Sequence, residues 1–277
     1  MQKNYLKLLD ESWPGIEQNI LRCEALGFQW EASKIFSKGD KGDALSHAAL
    51  LECSMLLEGK RHNMAVLHGI CTKASHRQYG YATELITEAL EWSKSRTDCV
   101  FLFTEIPSFY ERLSFYTVQE HRFHIAYPRR KGSQSLRPLI APDDNELFLR
   151  CFKERAPLSN KLWLEDRGLI ASFNALFATY PTYWSLSYSS TIDGLLSYQL
   201  DNNDVHLFDI VARQIPSLDL VMDHFPENIE KIYFYFSPDL LTDEAIAEPY
   251  LYDNGHLMVH GSWRFSQPFM VSPLSRC

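Results

Sequence analysis

The sequence predicts an α/β (α+β) protein: a mixed sheet flanked by helices, followed by a second unit built in the same order. Three observations carry that expectation. Residues 64–92, MAVLHGICTKASHRQYGYATELITEALEW, pass from a short apolar run through a basic loop into a helical pattern. A hairpin pattern precedes them, and a second apolar run, residues 100–105, follows. The succession of hairpin, strand, loop, helix and strand then returns, more faintly, over residues 184–236.

In chain order, residues 1–30 are expected to hold two helices. Leu6, Leu8 and Leu9 mark the first; Ile16, Ile20, Leu21 and Ala25 recur at helical spacing after the break Trp13-Pro14-Gly15. Residues 31–38 and 44–60 bracket the turn Gly39-Asp40-Lys41-Gly42-Asp43 as a hairpin, and its second arm is apolar enough either for the centre of a sheet or for a helix. The run 64–72 reads as a mostly buried strand. Beyond the loop Lys73-Ala74-Ser75-His76-Arg77, the residues Leu85, Ile86, Ala89 and Leu90 share a helical face, while Glu84, Glu88, Glu91 and Lys94 fall elsewhere. A helix that begins near Gly80 turns unpaired N–H groups and the positive end of its dipole back into this loop. Phosphate oxygens satisfy such groups. Gly80 admits close approach of a ligand, Ala82 keeps the next turn narrow, and Arg77 adds charge at the rim.

Composition bounds the function classes. At 277 residues the chain can bury a sizeable core without staples, and its formal charge of -8 argues against a nucleic-acid backbone as partner while remaining compatible with a cationic amine. Six cysteines without CxxC or metal-ligand spacing read as reduced thiols, and no metal site is expected. No apolar stretch suggests a signal peptide or a membrane span, so a cytoplasmic protein without a membrane partner is expected. Composition does not fix the oligomeric state, which leaves a homo-oligomer open.

The spacing Arg77-x-x-Gly80-x-Ala82 after a strand resembles the Gln/Arg-x-x-Gly-x-Gly/Ala signature of the GNAT superfamily, the acetyl-CoA-dependent N-acetyltransferases. Residues Phe109-Tyr110-Glu111-Arg112-Leu113-Ser114-Phe115 resemble that superfamily's Phe-Tyr-x-x-x-Gly-Phe element, with Ser114 where glycine is usual. The resemblance implies a GNAT-type mixed sheet whose central strands, ending near 72 and 105, diverge to leave a slot for pantetheine, with residues 117–127 as the closing antiparallel strand. It implies acetyl-CoA as cosubstrate. The amides of Gln78, Tyr79, Gly80, Tyr81, Ala82 and Thr83 would then hold the pyrophosphate with Arg77, and the backbone of Ile70, Cys71 and Thr72 would pair with pantetheine. Tyr110 falls where the family's tyrosine protonates the leaving thiolate; as a plain aromatic it would plug helix against sheet.

A break in composition at residues 128–135 suggests a linker, giving a catalytic unit over 1–128, a joint at 129–137 and a second unit over 138–277. The second unit lacks Arg-x-x-Gly-x-Ala and carries Pro216 in the corresponding loop, so it reads as a degenerate GNAT-like domain that binds no coenzyme. The arrangement resembles tandem GNAT proteins of the kind that includes the enhanced-intracellular-survival acetyltransferases. There the terminal carboxylate can reach the active site; here the tail 272–277 is expected to fray instead. Cys71 reads as a small buried hydrophobe and not a nucleophile. His68 reads as a hydrogen-bonded sheet residue. His47, Glu105 and Glu120 are base candidates without a motif, and the clusters at 121–124 and 129–131 read as solvated polar positions. The expected activity is acetyl transfer to a primary amine, small-molecule or protein-borne, by direct attack. The alternative is a non-catalytic acyl-CoA-binding or scaffold module with the same fold.

Overall fold

A computed structural model describes residues 5–28, 32–40, 43–127, 132, 134–165, 168–177, 179, 182–263 and 265–277. The hairpin-turn residues Lys41 and Gly42 and, at the expected linker, residues 128–131 and 133, which include the basic cluster 129–131, lie outside the described residues.

Helices α1 (Leu6–Ser12) and α2 (Ile16–Ala25) are separated at Gly15, whose φ of 90° only glycine adopts without strain. Their apolar faces, Leu6, Leu9, Ile16 and Ile20, close over Ala44 and Cys71 of the first sheet. Strands β1 (Lys34–Asp40), β2 (Asp43–Leu57) and β3 (Lys60–Thr72) form an antiparallel meander, so the arm that is ambiguous by composition is a strand. Its Ala48 and Leu50 face one layer and Leu51 and Met55 the other, the period of two that a doubly covered strand requires. Helix α3 (Tyr81–Ser93) crosses over to β4 (Cys99–Thr104), parallel to β3. Leu85, Ile86 and Ala89, fully buried, pin it to the sheet. The short α4 (Pro107–Glu111) and β5 (Tyr116–Val118) follow.

The expected closing strand over 117–127 does not form as one piece. Residues Gln119 and Glu120 interrupt it, β5 stays on the first sheet, and β6 (His121–Ala126) crosses to a second sheet, where it pairs with β12 (Lys231–Phe234) and β13 (Ile246–Pro249). The place between β4 and β5 is taken by β14 (His256–Gly261), antiparallel to both. Residue chemistry explains the exchange. That place is covered on both faces, and β14 supplies Leu257 and Val259 to one core and Met258 to the other. β6 is apolar on one face only: Phe123 enters the second core, while Arg122 lies between the rings of Tyr233 and Tyr250, 4.3 and 4.4 Å from their centroids, and pairs with Glu248. Residues 121–124 are therefore part of a sheet and not a solvated cluster.

Between these elements run β7 (Arg137–Ile140), α5 (Asn145–Glu154), β8 (Leu162–Glu165), α6 (Leu169–Leu176), β9 (Thr182–Ser189), β10 (Gly194–Asp201), β11 (Asp204–Val211) and α7 (Leu218–Met222). The first sheet has the order β1-β2-β3-β4-β14-β5 with β8 also on β2; the second has β7-β9-β10-β11-β12-β6-β13. Each contains a hairpin and one parallel pair with a helical crossover; the other half of the sequence donates β14 and β8 to the first sheet and β6 to the second. The fold is the expected one: a GNAT-type mixed sheet flanked by helices, with a second sheet of like order. Among the described residues no helix is long and apolar enough to cross a membrane.

Candidate active site

The parallel pair β3–β4 is in register for three residues only, Met64 to Cys99, Ala65 to Val100 and Val66 to Phe101. Beyond that β3 follows β2 to Thr72 and β4 follows β14 to Thr104, so the two part and a cleft opens between them. Exposure marks the cleft: Gly69, Ile70 and Thr72 are half-buried although His68 and Cys71 beside them are buried. A bulge in β3 widens it. Ala49 faces His68 and His47 faces Cys71, which leaves Gly69 and Ile70 opposite Ala48 alone, and Gly69 takes φ of 61°.

The backbone direction of each cleft residue follows from the ladder. Lys73 N–H donates to Leu45 O and Cys71 pairs with His47, so residues 71 and 73 face β2. Alternation turns the N–H and C=O of Ile70 and Thr72 toward the cleft. The Cys71 carbonyl instead accepts from Ser46 Oγ at 3.1 Å. Its thiol is pushed up to about 11 by burial, against a hydrogen bond from Ser12, which leaves a protonated core cysteine.

At the open end of the cleft, Ala74–His76 makes one 3-10 turn, Gln78 and Gly80 take φ of 69° and 84°, and α3 begins at Tyr81. Gly80 is the N-cap and no side chain caps this helix. The first intrahelical bond runs from Glu84 N–H to Gly80 O; among the described residues, no acceptor takes the amides of Gln78, Tyr79, Gly80, Tyr81, Ala82 or Thr83. Nothing lies within 4 Å of where a Cβ on Gly80 would stand. Arg77 is exposed, with Nε donating to Thr72 O at 3.3 Å, and Lys73 is held to Asp43 at 2.8 Å. Six successive amides without an acceptor among the described residues, a helix N-terminus and the exposed Arg77 thus lie together, an arrangement that can cradle an oxyanion.

Tyr110 stands across the cleft. It is 6% exposed, packs edge-on to Phe109 and Phe115, and shares a hydrogen bond with Thr104 at the end of β4. Burial pushes its phenol up to about 12, opposed by that bond, so it is neutral and a donor. It is the aromatic plug, and its hydroxyl is held at the diverging end of β4 by Thr104. Ser114, in the glycine place, adopts φ of 63°, and Phe115 N–H still reaches Tyr110 O at 3.2 Å; the turn closes as it would with glycine.

The base candidates fare differently. Glu105 is exposed. Glu120 is 4% exposed and fully engaged, accepting from Arg276 Nη1 at 2.7 Å and from Val271 N–H at 2.9 Å. His68 bonds Ser33 through Nε2 at 2.9 Å and is pushed down to about 3 by burial, with His47 adding to the effect. His47 is likewise lowered by burial. What sequence reasoning missed is the bulge and the way His47 holds it; an isolated glycine inside a strand pattern, Gly69, was the available signal. A cavity of about 820 Å³, bordered by Glu52, Arg61, Asn63, Met64 and Arg96, lies elsewhere. It lies at the start of β3, six residues or roughly 20 Å from Ile70.

The second sheet repeats the geometry with different contents. β11 pairs with β12 from Asp204 to Leu207 and then leaves it, and the register slips at Phe208 against β10, the counterpart of Gly69. Here the gap is filled: Ser272 Oγ donates within reach of Phe208 O at 3.0 Å and Asp209 Oδ2 at 2.6 Å, and Pro273, Leu274 and Ser275 are buried beside it. Residues 272–276 are thus anchored and not frayed. Helix α7 has five residues, and its cap Ser217 already accepts from Leu220 N–H.

Residues 4–118 match the family model described as the acetyltransferase (GNAT) domain. No curated protein matches the sequence. Among solved structures, a probable N-acyltransferase of unknown function from Enterococcus faecalis is similar with a TM-score of 0.56 and 13% identity, over 94% of this chain and 70% of that one. A GCN5-related N-acetyltransferase from Anabaena variabilis gives 0.53 and 12%, over 94% and 70%. Another from Kribbella flavida gives 0.52 and 16%, over 92% and 67%. The chain therefore spans about two thirds of the length of these structures. Residues 4–118 are thus similar to a GNAT acetyltransferase domain, and the chain shares the fold of solved proteins that bear the GNAT name.

Proposed function

We propose that the protein is an acetyl-CoA-dependent N-acetyltransferase acting on a primary amine. The observation that carries this reading is the set of uncapped amides at the start of α3, opening onto a cleft between two parting parallel strands. Gln78 to Thr83 and Arg77 hold the pyrophosphate, and pantetheine runs along Ile70 and Thr72 as an extra strand. The amine nitrogen attacks the thioester carbon, the carbonyl electron pair moves to oxygen, and its collapse expels the thiolate. The amine's proton leaves to solvent, and Tyr110 donates a hydrogen bond to the thiolate. A phenol near 12 does not surrender its proton outright to a thiolate near 8.5. Residues 1–128 form the catalytic unit and 138–277 a second unit that binds no coenzyme, a reading supported by the capped α7 and the filled gap beside β11. The protein works in the cytoplasm, without a metal.

A second reading, a non-catalytic acyl-CoA-binding or scaffold module, is favoured by one observation: Glu120 and His68 are both committed to protein partners. Calorimetry and turnover separate the two. Acetyl-CoA binds with a Kd on the order of micromolar, and Gly80→Pro with Arg77→Glu removes the heat. An intact protein that gives no heat defeats the enzyme and the acyl-CoA-binding module and leaves the scaffold; heat without thiol release across a panel of aminoglycosides, polyamines and amino acids selects the binding module.

A further inference from the structure

The bulge in β3 leaves one carbonyl without a place in the ladder. Gly69 O accepts from Nδ1 of His47 at 2.7 Å. Since a carbonyl can only accept, Nδ1 carries the proton. His47 is fully buried, its ring stacked on Tyr5 at 5.0 Å, and its Nε2 has no partner among the described residues. Burial disfavours the imidazolium, which agrees with a neutral ring in a single tautomer. A Cβ on Gly69 would stand 3.3 Å from His47 Cε1, so ring and bulge are fitted to one another. The neighbouring carbonyl, Cys71 O, is taken by Ser46 Oγ, and Ser46 too is fully buried. Two side chains of β2 thus hold the carbonyls on both sides of Ile70. With residues 69 and 71 fixed, the Ile70 amide has one direction left, into the cleft.

We propose that His47 is a positioning residue for acetyl transfer: by clamping the Gly69 carbonyl it locks the bulge and aims the Ile70 N–H at the thioester oxygen. The inference rests on the coenzyme reading above. The Ile70 amide receives the negative charge that forms on that oxygen when the amine attacks, and releases it when the C–S bond breaks. Its worth depends on direction, so a loosened bulge costs rate more than coenzyme affinity.

The test compares His47→Leu with His47→Asn, whose Nδ2 occupies the position of the imidazole Nδ1. Thiol release from acetyl-CoA is followed with hydroxylamine as a surrogate nucleophile. The carbonyl stretch of bound 13C-acetyl-CoA is read alongside it. His47→Leu lowers kcat by about 10–100-fold, holds the acetyl-CoA Kd within about two-fold, and returns the stretch toward that of the free thioester. His47→Asn recovers both rate and stretch. If His47→Leu does not fold, Gly69→Ala, which crowds the same ring from the other side, carries the test with the same expected signature. A normal kcat in His47→Leu, or equal loss in both His47 variants, overturns the proposal. An intact protein that fails to bind acetyl-CoA is a different result, since it removes the function and not the clamp.

Discussion

At the scale of single residues, buried imidazoles set how the molecule responds to acid. His68 sits 8% exposed with a pKa of about 3, against roughly 6.5 in an unfolded chain. Below 6.5 the unfolded chain takes up a proton that the folded one refuses, so stability is complete above that pH and falls as the pH drops toward 3. The slope is about 1.4 kcal/mol per pH unit for one such group, and His47, also lowered, adds to it. Melting temperature is therefore flat above pH 7 and falls below 6.5, and His68→Gln flattens the decline; an unchanged profile in that variant refutes the assignment. These histidines also mark a limit of sequence reading. His47 and Gly69 are 22 positions apart, and nothing in either neighbourhood announces that one holds the other. Arg77, Gly80 and Ala82 are legible because one turn of local backbone does all their work.

Elements follow the same division. α3 was legible in full, since its buried positions Leu85, Ile86 and Ala89 repeat at helical spacing and Gly80 supplies the left-handed cap. β2 was ambiguous, because fifteen residues with apolar positions on both faces lack the alternation that marks a half-exposed strand. α4 shows how a departure from a pattern is tolerated. Its C-terminal turn keeps the bonds from Leu113 and Phe115 to Tyr110 O, with Ser114 in a conformation that glycine adopts freely. A left-handed non-glycine costs about 1 kcal/mol. Ser114→Gly, which relieves that cost and loses some in chain entropy, gains about 0.5 kcal/mol in urea unfolding. A loss of stability would show that the serine hydroxyl has an unrecognised role in the turn.

Across the whole molecule, the exchange of β6 for β14 is the feature no local pattern foretold. Residues 117–127 read as one strand, and 256–261 carry no expectation; which sheet receives each depends on whether its second face must be apolar, and that is fixed by layers assembled from distant sequence. The exchange makes the halves interdependent. Removal of residues 256–277 strips β14 from between β4 and β5 and takes away the Ser272 and Arg276 contacts to Asp209 and Glu120. The truncated protein is expected to lose cooperative unfolding and to aggregate through the bared edges of β4 and β5; a soluble, cooperatively melting product would show that the first sheet is self-sufficient. There is also a consequence for biosynthesis. Gly261 pairs with Cys99, so the nascent chain cannot complete its first sheet until more than half of its length has followed that cysteine out of the ribosome. At ordinary translation speeds of about 5–20 residues per second, the cleft stays half-built for several seconds or longer. A holdase that shields a strand edge would meet its client in that interval.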